Sequence, residues 1–454
     1  MGSTGKRSAV ARIIRLIRQK SSRMTLRFDS LITDERLRLY PIVFVIGSAL
    51  GVTLSSIVRL ADPTIQGSFM PDYLAHWTGG GLLLSPDPSR LYDTGAQFAY
   101  QTAALGTEVP LSWFVSPPIV AAFYAPLASL PYNVSGILWL LLSTSLLIWC
   151  ALSLKFLAPK LMLRRRRVVV LAVLASPPVF ELLGGGQDSA FILAVWLVGI
   201  RLLSSQRNVW AGVVLALGFA KPQLVVLVPL IFLATRNVRA LASFAATCGL
   251  MLGISIGLVG MDGLVRWSEA LSSPLYMEEV QQGQAWKMVS LPALAQALLP
   301  ETWGAWMAPV LTTAALPIGA GILLLHLRRA HKLAEVNRTA MWIATLATTA
   351  IFSPHLATYD AVLFFPVVLF LLERWPSAVV RVSTVAAFAL VWMAPVLHMA
   401  AASLPWPFAA IDAPWSAIPL AALWMASLKA LREPDVGPDQ QPGVAHIADR
   451  PQHS

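Results

Sequence analysis

The sequence predicts an all-α polytopic membrane protein, and three observations support this prediction. Of its 454 residues, 56% are hydrophobic and only 13% are charged, whereas soluble proteins carry about 25% charged residues. Apolar runs approaching the roughly 20 residues needed to span a bilayer recur along the chain. The basic residues lie in short clusters between these runs, which is typical of cytoplasmic loops and not of a nucleic-acid surface. We therefore expect a lipid bilayer as partner and no nucleic acid.

Three regions follow from the distribution of polar residues. Residues 1–40 are rich in arginine and form a predicted cytoplasmic tail, while residues 431–454 are polar and proline-rich and predict a disordered cytoplasmic tail. Residues 41–430 form the predicted transmembrane domain. The run from Pro41 to Val58 lacks a small-residue cleavage site, so we interpret it as a retained first helix.

The topology is inferred from the basic clusters. The apolar runs are 41–58, 134–154, 168–183, 188–203, 209–234, 240–259, 306–327, 339–352, 359–372, 379–400 and 415–430. The basic clusters are Arg164–Arg167, Arg201/Arg207, Arg236/Arg239, Arg328/Arg329/Lys332/Arg338, Arg374/Arg381 and Lys429/Arg432. Placing every cluster in the cytoplasm gives about 12 crossings by the positive-inside rule.

Two stretches need special treatment to satisfy this topology. Residues 116–131 are apolar, but a full crossing there would put the arginine run at 164–167 outside. We expect an interfacial or re-entrant helix on the outer side. Residues 209–234 have arginines at both ends and Lys221-Pro222 in the middle. A single helix would leave a lysine at mid-bilayer, which costs about 3 kcal/mol or more. A helical hairpin with Lys221 at its outer tip avoids this cost.

The most informative motif lies in the large first outer loop, residues 59–131. It reads PDYLAHW over residues 71–77. A loop aspartate is usually a solvated surface group, but Asp72 is flanked by Tyr73, His76 and Trp77. Aromatic surroundings can line a sugar pocket and raise the pKa of a carboxyl into the range of a general base. Asp87 and Asp93, in a proline-rich stretch, are better explained as turn formers.

Two further groups of polar residues fall on the predicted outer side. Lys221 is either a snorkelling lysine or a cation that binds a phosphate arriving on a lipid. His355 is either solvent-exposed or a phosphate or substrate contact, with Asp360 orienting it or starting the next helix.

The GGGQD motif at residues 184–188 is the third polar feature. The glycines predict a tight outer turn, while Gln187 and Asp188 could hydrogen-bond sugar hydroxyls. The sequence contains no nucleotide-binding phosphate loop, no HExxH motif and no paired metal-ligand spacing. Cys150 and Cys248 both lie in apolar runs, which argues against a disulfide framework or a thiolate site. We expect no metal and no cofactor.

Several motifs, in order, resemble glycosyltransferase family 87. They are PDY at 71–73 with Trp77, GGLLL at 80–84, DP at 87–88 with LY at 91–92, SPP at 116–118 with APL at 125–127 and LP at 130–131, Gly186-Gln187, the Gly212 to Lys221-Pro222 hairpin, and SPH at 353–355. The resemblance covers roughly residues 40–430. It implies a GT-C fold in which residues 41–430 are the catalytic domain.

The resemblance also implies an activity. Such enzymes take a sugar from a polyprenyl-phosphate donor outside the membrane, with the first-loop aspartate, here Asp72, as general base. The carrier phosphate would lie near His355 and Lys221. Mannose is the expected sugar, with arabinofuranose or another pentose as the alternative. The acceptor would be a glycolipid or glycan, and inversion is the expected stereochemistry.

Two other function classes remain open at this stage. A lipid or sugar transporter would also contain an intramembrane lysine and broken helices, but no pair of interrupted helices occurs in corresponding halves. A structural scaffold would leave the aromatic-flanked carboxylate unexplained. We expect a multi-pass protein of the bacterial inner membrane whose active site faces the periplasm.

Overall fold

The computed structural model describes residues 34–62, 68–282, 284–331, 337–401, 403–405 and 407–432. Over these ranges the chain is helical, with one isolated bridge between Met288 and Ala357 and no β-strand. The predicted tails lie largely outside the described residues. The all-helical prediction is confirmed for the part of the chain that the structure describes.

The α-helices of the described residues overlap the predicted apolar runs with changed boundaries but are not confined to them. They are Asp34–Ala61, Pro71–Leu83, Thr94–Leu105, Pro118–Ala128, Tyr132–Ser153, Pro159–Leu174, Pro177–Gly185, Ser189–Ser204, Asn208–Ala216, Val228–Ala234, Val238–Ser272, Pro274–Tyr276, Leu291–Ala297, Glu301–His331, Arg338–Ile351, Phe364–Arg374, Ala378–Ala401 and Ala417–Ala430. Short 3₁₀ turns include Pro88–Tyr92, Leu217–Ala220, Pro222–Leu224, Ala285–Lys287 and Thr358–Leu363.

Five of the described helices are long and apolar enough to cross a membrane. They are Arg38–Ala61, Tyr132–Phe156, Val238–Ser272, Trp306–Ala330 and Ala378–Ala401, and a bent pair of helices would make a sixth. The other apolar helices have 10–17 residues, and helices such as Ser189–Ser204 are largely buried within the bundle. The protein is thus a polytopic membrane protein, but the predicted count of about 12 crossings is not confirmed.

The predicted single run 168–183 differs from the structure. It is divided between Pro159–Leu174 and Pro177–Gly185, which are bent by 50° relative to each other. The break lies at Pro177 and Pro178, where a proline ring cannot continue the preceding helix. The arginine run at 164–167 lies at a kink within Pro159–Leu174, where Arg165 has a non-helical φ of −137° and ψ of 31°.

The predicted hairpin over 209–234 agrees with the structure. Helix Asn208–Ala216 leads to a break at Lys221, and Val228–Ala234 follows it. The side chain of Asn237 donates a hydrogen bond to Asn208 over 3.1 Å, so the two ends of the segment meet. Lys221 consequently lies at the tip.

Residues 68–131 of the predicted first outer loop form a helical unit. Helix Pro118–Ala128 has 11 residues and spans about 16 Å, too short to cross a bilayer of about 30 Å. It packs closely on helix Pro71–Leu83, because a Cβ on Gly80 would lie only 2.8 Å from the backbone of Tyr124. After a break at Gly260, helix Val238–Ser272 continues over the same loop, where Trp267 donates to the carbonyl of Val115 over 2.8 Å.

The bundle has two chemically different ends. Helix Ser189–Ser204 begins beside Lys221 and ends after Arg201. Helix Arg338–Ile351 begins at a basic residue and ends just before Ser353 and His355, whereas Phe364–Arg374 runs from the Asp360 turn to an arginine. The candidate polar residues therefore lie at the ends of these helices opposite to the basic clusters.

Candidate active site

A buried ion cluster centred on Lys221 joins three segments of the chain. The ammonium Nζ lies 2.8 Å from Oδ1 of Asp188 and 3.0 Å from Oδ1 of Asp360. It also donates to Oγ of Ser189 at 3.1 Å and to Oε1 of Gln187 at 3.3 Å. The side chains of Lys221, Asp188 and Asp360 are only 14%, 6% and 1% exposed. Four oxygens of the protein itself therefore surround this ammonium.

Local backbone structure explains why these groups meet. Asp188 is the residue that precedes helix Ser189–Ser204, and Asp360 lies in the 3₁₀ turn Thr358–Leu363. Ser189 links the two segments by donating to Oδ1 of Asp360 over 2.5 Å. Pro222, which starts the next turn, holds the hairpin tip in a non-helical conformation so that Lys221 points into the cluster.

Asp72 lies next to this cluster but is bonded differently. It is the second residue of helix Pro71–Leu83 and is partly accessible to solvent. Gln187 is its side-chain hydrogen-bond partner and lowers the pKa of its carboxyl. Within the described ranges, no lysine or arginine nitrogen lies within ion-pair distance of it.

The triple glycine allows Asp72 to approach Gln187. Gly185 ends helix Pro177–Gly185, and a Cβ there would overlap Oδ2 of Asp72. Gly186 has a φ of 77°, in the left-handed region that glycine adopts without strain, and its carbonyl accepts from the indole of Trp139 over 2.8 Å. The predicted tight turn is thus present, and it packs directly against Asp72.

The electrostatic surroundings of Asp72 favour a proton acceptor. Burial raises the pKa of its carboxyl above the ordinary value, and the neighbouring negative charge of Asp188 acts in the same direction. The hydrogen bond from Gln187 and the charges of Lys287 and Lys221 oppose this increase in pKa. A carboxylate with a raised pKa is a stronger base than an exposed one.

The aromatic neighbours of Asp72 are packed into the helical unit formed by residues 68–131. Tyr73 is fully buried, stacks on Trp139 with ring centroids 5.7 Å apart, and its hydroxyl hydrogen-bonds to Ser135. His76 stacks on Tyr124 at 4.6 Å, and burial lowers the pKa of its imidazole. These contacts are typical of core side chains, so the predicted contact of both residues with substrate stays a prediction.

Trp77 is the third aromatic residue of the motif. It is 6% exposed, and its indole nitrogen donates to the carbonyl of Leu130 over 3.3 Å. This bond ties helix Pro71–Leu83 to the end of helix Pro118–Ala128. The aromatic residues therefore fix the orientation of the helix that carries Asp72, and the predicted substrate contact of Trp77 is not tested by these contacts.

His355 lies near the ion cluster, since Asp360 and Lys221 both act on its imidazole. It follows helix Arg338–Ile351 in a short loop that is closed by a hydrogen bond from Ser353 Oγ to the carbonyl of His355, 2.9 Å long. Burial lowers the pKa of the imidazole, with Asp360 opposing and Lys221 reinforcing this effect. Its electrostatic coupling to both cluster residues places it at the same end of the bundle as Asp72. The predicted phosphate contact stays a prediction.

Two charged residues of the site were missed in the sequence. Lys287 acts electrostatically on both Asp72 and Glu181, and Glu181 lies in the helix that ends at Gly185. The strand-like pairing of Val289 N with the carbonyl of Leu356, at 2.8 Å, fixes the Lys287 segment beside the His355 loop. A signal existed in the sequence, because Lys287 is a basic residue that belongs to none of the clusters assigned to the cytoplasm.

Asp87 and Asp93 act as turn formers, as predicted. Asp87 accepts from the backbone nitrogen of Ser89 at 3.2 Å, and Asp93 accepts from that of Ala96 at 2.6 Å at the start of helix Thr94–Leu105. Neither carboxylate contacts the Lys221 cluster in the described structure. The same acidic residue type is therefore structural in one part of the loop and belongs to the candidate site in another.

Two carboxylates flank one ammonium in the Lys221 cluster. Asp188 and Asp360 share the ammonium of Lys221 at the position where a cation would bind between two carboxylates. Among the described residues, no group of three or more histidine, cysteine, aspartate or glutamate side chains is arranged to hold a metal ion. Asp188, Asp360 and Lys221 therefore form an internal ion cluster, and Asp72 lies next to this cluster without an ion-pair partner among the described residues.

Comparisons with known proteins identify the family. The model of glycosyltransferase family 87 matches residues 114–354, more than half of the chain. Comparisons with curated proteins and with solved structures found no significant match. The matched region contains the Gln187, Asp188 and Lys221 network, whereas Asp72 precedes it and His355 follows it directly. With an all-helical membrane fold and a polar site at one end of the bundle, the chain belongs to glycosyltransferase family 87.

Proposed function

We propose that this membrane glycosyltransferase transfers a hexose, with mannose as the first candidate, from a polyprenyl-phosphate donor to a hydroxyl of a glycolipid or glycan. The observation that carries the proposal is the setting of Asp72. Its carboxylate is partly accessible, has a raised pKa and is hydrogen-bonded to an amide instead of being paired with a cation. A general base needs this combination of access and basicity.

The proposed reaction is a single displacement. Asp72 accepts the proton of the acceptor hydroxyl while that oxygen forms a bond to the anomeric carbon of the donor sugar. The bond between this carbon and the phosphate oxygen breaks, and the polyprenyl phosphate leaves with the electron pair. Attack from the face opposite to the leaving group inverts the configuration, so a β-linked donor gives an α-linked product.

The leaving phosphate requires a cation, since negative charge grows on it in the transition state. The sequence suggested Lys221 and His355, and we retain His355 beside the phosphate. We propose Lys287, and not Lys221, as the lysine that contacts the phosphate. Lys221 is already surrounded by four oxygens, whereas Lys287 forms no ion pair among the described residues, lies 5.3 Å from the ring of Trp286 and acts electrostatically on Asp72 and Glu181.

The outer face of the membrane is the proposed location of the reaction. The candidate residues lie at the helix ends opposite to Arg201, Arg338 and Arg374, and basic ends are expected in the cytoplasm. A lipid-linked donor remains in the bilayer, so its head group has to be bound at this interface. Membership in a glycosyltransferase family also favours this reaction over transport.

A donor assay tests the proposal directly. Purified protein would be incubated with polyprenyl-phosphate mannose, glucose or arabinofuranose and with a membrane glycolipid fraction, and the released polyprenyl phosphate would be quantified. We expect release with the mannosyl donor that depends on the acceptor. Turnover with the arabinofuranosyl donor alone would replace the hexose by a pentose, and the absence of lipid phosphate release with every donor would contradict the donor class.

The orientation is tested separately by cysteine labelling. In a background without Cys150 and Cys248, a cysteine at Ser85 should react with a membrane-impermeant thiol reagent added from outside. A cysteine at Ser205, which is exposed at the basic end of the bundle, should not react. Labelling of Ser205 but not Ser85 would place the candidate site in the cytoplasm.

A further inference from the structure

We propose that Gln187 and Lys221 form a positioning relay that holds the carboxylate of Asp72 in the orientation required of the base. In this relay Lys221 binds Gln187, and Gln187 binds Asp72. The inference rests on the proposed role of Asp72 as the base. In this proposal Gln187 and Lys221 position the base Asp72 and do not bind sugar hydroxyls or the carrier phosphate.

The chemistry of the partners fixes the orientation of the Gln187 amide. An ammonium has only N–H donors, so Lys221 Nζ, 3.3 Å away, requires the carbonyl oxygen Oε1 on its side. The amide nitrogen Nε2 is then the group of Gln187 that faces Asp72 as a donor, which agrees with the side-chain hydrogen bonding by which Gln187 lowers the pKa of this carboxyl. Rotation of the amide by 180° would place its oxygen against a carboxylate and its N–H₂ against an ammonium. Both contacts would be repulsive.

Each residue of the relay is held in place by its surroundings. Gln187 is 8% exposed, and its backbone nitrogen donates to the carbonyl of Leu182 over 2.9 Å. Lys221 is fixed by Asp188 at 2.8 Å and Asp360 at 3.0 Å. Because Gly185 has no side chain, Asp72 can lie directly against this turn.

This arrangement also explains why the base is separated from the cation. If Lys221 contacted Asp72 directly, the ion pair would strongly favour the carboxylate and weaken it as a proton acceptor. With the amide of Gln187 between them, Lys221 orients Asp72 through hydrogen bonds, and its positive charge does not contact the carboxylate directly. The relay therefore orients Asp72 while its basicity is kept.

The pH dependence of the reaction distinguishes this role from a purely structural one. The base must be ionised, so kcat/KM decreases as the pH falls through the pKa of Asp72. The donor bond from Gln187 favours the ionised form, and its removal should move this decrease to higher pH. Hydrogen bonds to charged groups have net strengths that correspond to a shift of about one pH unit or more.

Other charged and titratable groups around Asp72 remain in place in such a variant. They are Lys287, Lys221, Asp188, Glu181, Tyr132 and Tyr359. Because these groups are unchanged, a Gln187 variant reports on the amide itself. The quantity to compare is the acidic limb of the pH profile, the range in which kcat/KM decreases as the pH falls.

The test compares Gln187→Met with wild type and with Gln101→Met. Methionine is similar in size to glutamine but forms neither hydrogen bond of the relay. We expect the acidic limb of kcat/KM to move upward by about one pH unit in Gln187→Met. Gln101 is also buried and bonds the backbone of Ser112 at 2.7 and 3.0 Å, so Gln101→Met should leave the position of this limb unchanged.

Gln187→Glu provides a second measurement if the methionine variant does not fold. It keeps an acceptor for Lys221 but places a second carboxylate against Asp72, so the upward shift should be larger. An acidic limb at the wild-type position in either folded variant would overturn the relay.

Infrared titration separates a failure of the relay from a failure of the proposed base. The carboxyl band that Asp72→Asn removes identifies Asp72, and its titration in wild type and Gln187→Met needs no turnover. A higher midpoint in Gln187→Met supports the relay, and an equal midpoint overturns it. Activity retained by Asp72→Asn would instead refute the role of Asp72 as base.

Discussion

Asp72 and Asp188 lie on either side of Gln187 and carry the same functional group in opposite settings. Asp188 is bonded to Lys221 at 2.8 Å and is 6% exposed. Asp72 is partly accessible and is bonded to an amide. Protonation of Asp188 would break an ion pair, whereas protonation of Asp72 costs one hydrogen bond. A carboxylate is suited to general-base catalysis when it lies near a cation without being paired to it.

The largest expected effect is on the carboxylate without an ion pair. Asp72→Asn keeps the shape of the side chain and removes the proton acceptor, so kcat should decrease by about 10²–10⁴-fold. Donor binding should change little, because the proposed base contacts the acceptor hydroxyl. The measurement is single-turnover kinetics, together with donor affinity from equilibrium binding.

The matched substitution on the other side of Gln187 sharpens this contrast. Asp188→Asn removes the closest partner of Lys221 but leaves the base intact. It should lower thermal stability and cause a much smaller decrease in kcat. Equal losses of kcat in Asp72→Asn and Asp188→Asn would mean that the two carboxylates act as one unit.

Lys221→Met should have the next largest effect, mainly on stability. It leaves Asp188 and Asp360, which are 6% and 1% exposed, without their counter-ion. Removing one partner of a buried ion pair costs about 3–5 kcal/mol. Thermal unfolding in detergent should show a clear decrease in Tm.

Lys287→Met is the control for this substitution. Lys287 is half-buried beside Trp286 and forms no ion pair within the described residues, so its loss should leave Tm nearly unchanged. If Lys287 binds the donor phosphate, the KM for donor should increase in this variant. A larger increase in KM for Lys221→Met, at unchanged Tm, would return the phosphate contact to Lys221.

A smaller, more local effect is expected at the glycine turn. A Cβ on Gly185 would overlap Oδ2 of Asp72, while a Cβ on Gly184 would have no atom within 4 Å. Gly185→Ala should therefore displace the carboxylate, and a displacement of about 1 Å can reduce the rate by about 10²-fold.

Gly184→Ala should retain wild-type kcat, and the pair of glycine variants can be compared in the same turnover assay. A similar loss of kcat in both variants would point to a general effect on the turn. Wild-type kcat in Gly185→Ala would show that Asp72 can occupy another position without loss.

The sequence predicted the membrane fold and several of its unusual segments because these depend on local composition. Lys221-Pro222 between two arginines sufficed to predict the hairpin, and the run ending at residue 259 stops where Gly260 breaks the helix with a φ of 72°. The number of crossings was not predictable in the same way. Helices such as Ser189–Ser204 are buried by their neighbours, and burial within a bundle shortens the apolar length that a helix needs.

The site was only partly accessible from the sequence, since its bonds join distant segments. Lys221 was predicted to be a cation at the outer tip, but its partners Asp188 and Asp360 lie 33 and 139 residues away along the chain. Lys287 was missed because its relation to Asp72 depends on the pairing of Val289 with Leu356. Periodicity and charge patterns contain no information about such contacts.

The smallest effect is expected at Asp93, a carboxylate of the same outer loop that lies away from the cluster. It accepts from the backbone nitrogen of Ala96 at 2.6 Å and is 46% exposed. Asp93→Ala removes a helix N-cap, which costs about 1 kcal/mol, so Tm should decrease slightly.

The kcat of Asp93→Ala and its acidic limb should both remain at wild-type values, because Asp93 caps helix Thr94–Leu105 and pairs with the exposed Arg90 at 3.7 Å, away from the Lys221 cluster. Turnover measured across pH and thermal unfolding of the same preparation provide the two readouts. A loss of kcat comparable to that of Asp72→Asn would identify Asp93 as a second candidate base. Wild-type turnover would show that, of these two carboxylates in the loop, only the one bonded to Gln187 takes part in the reaction.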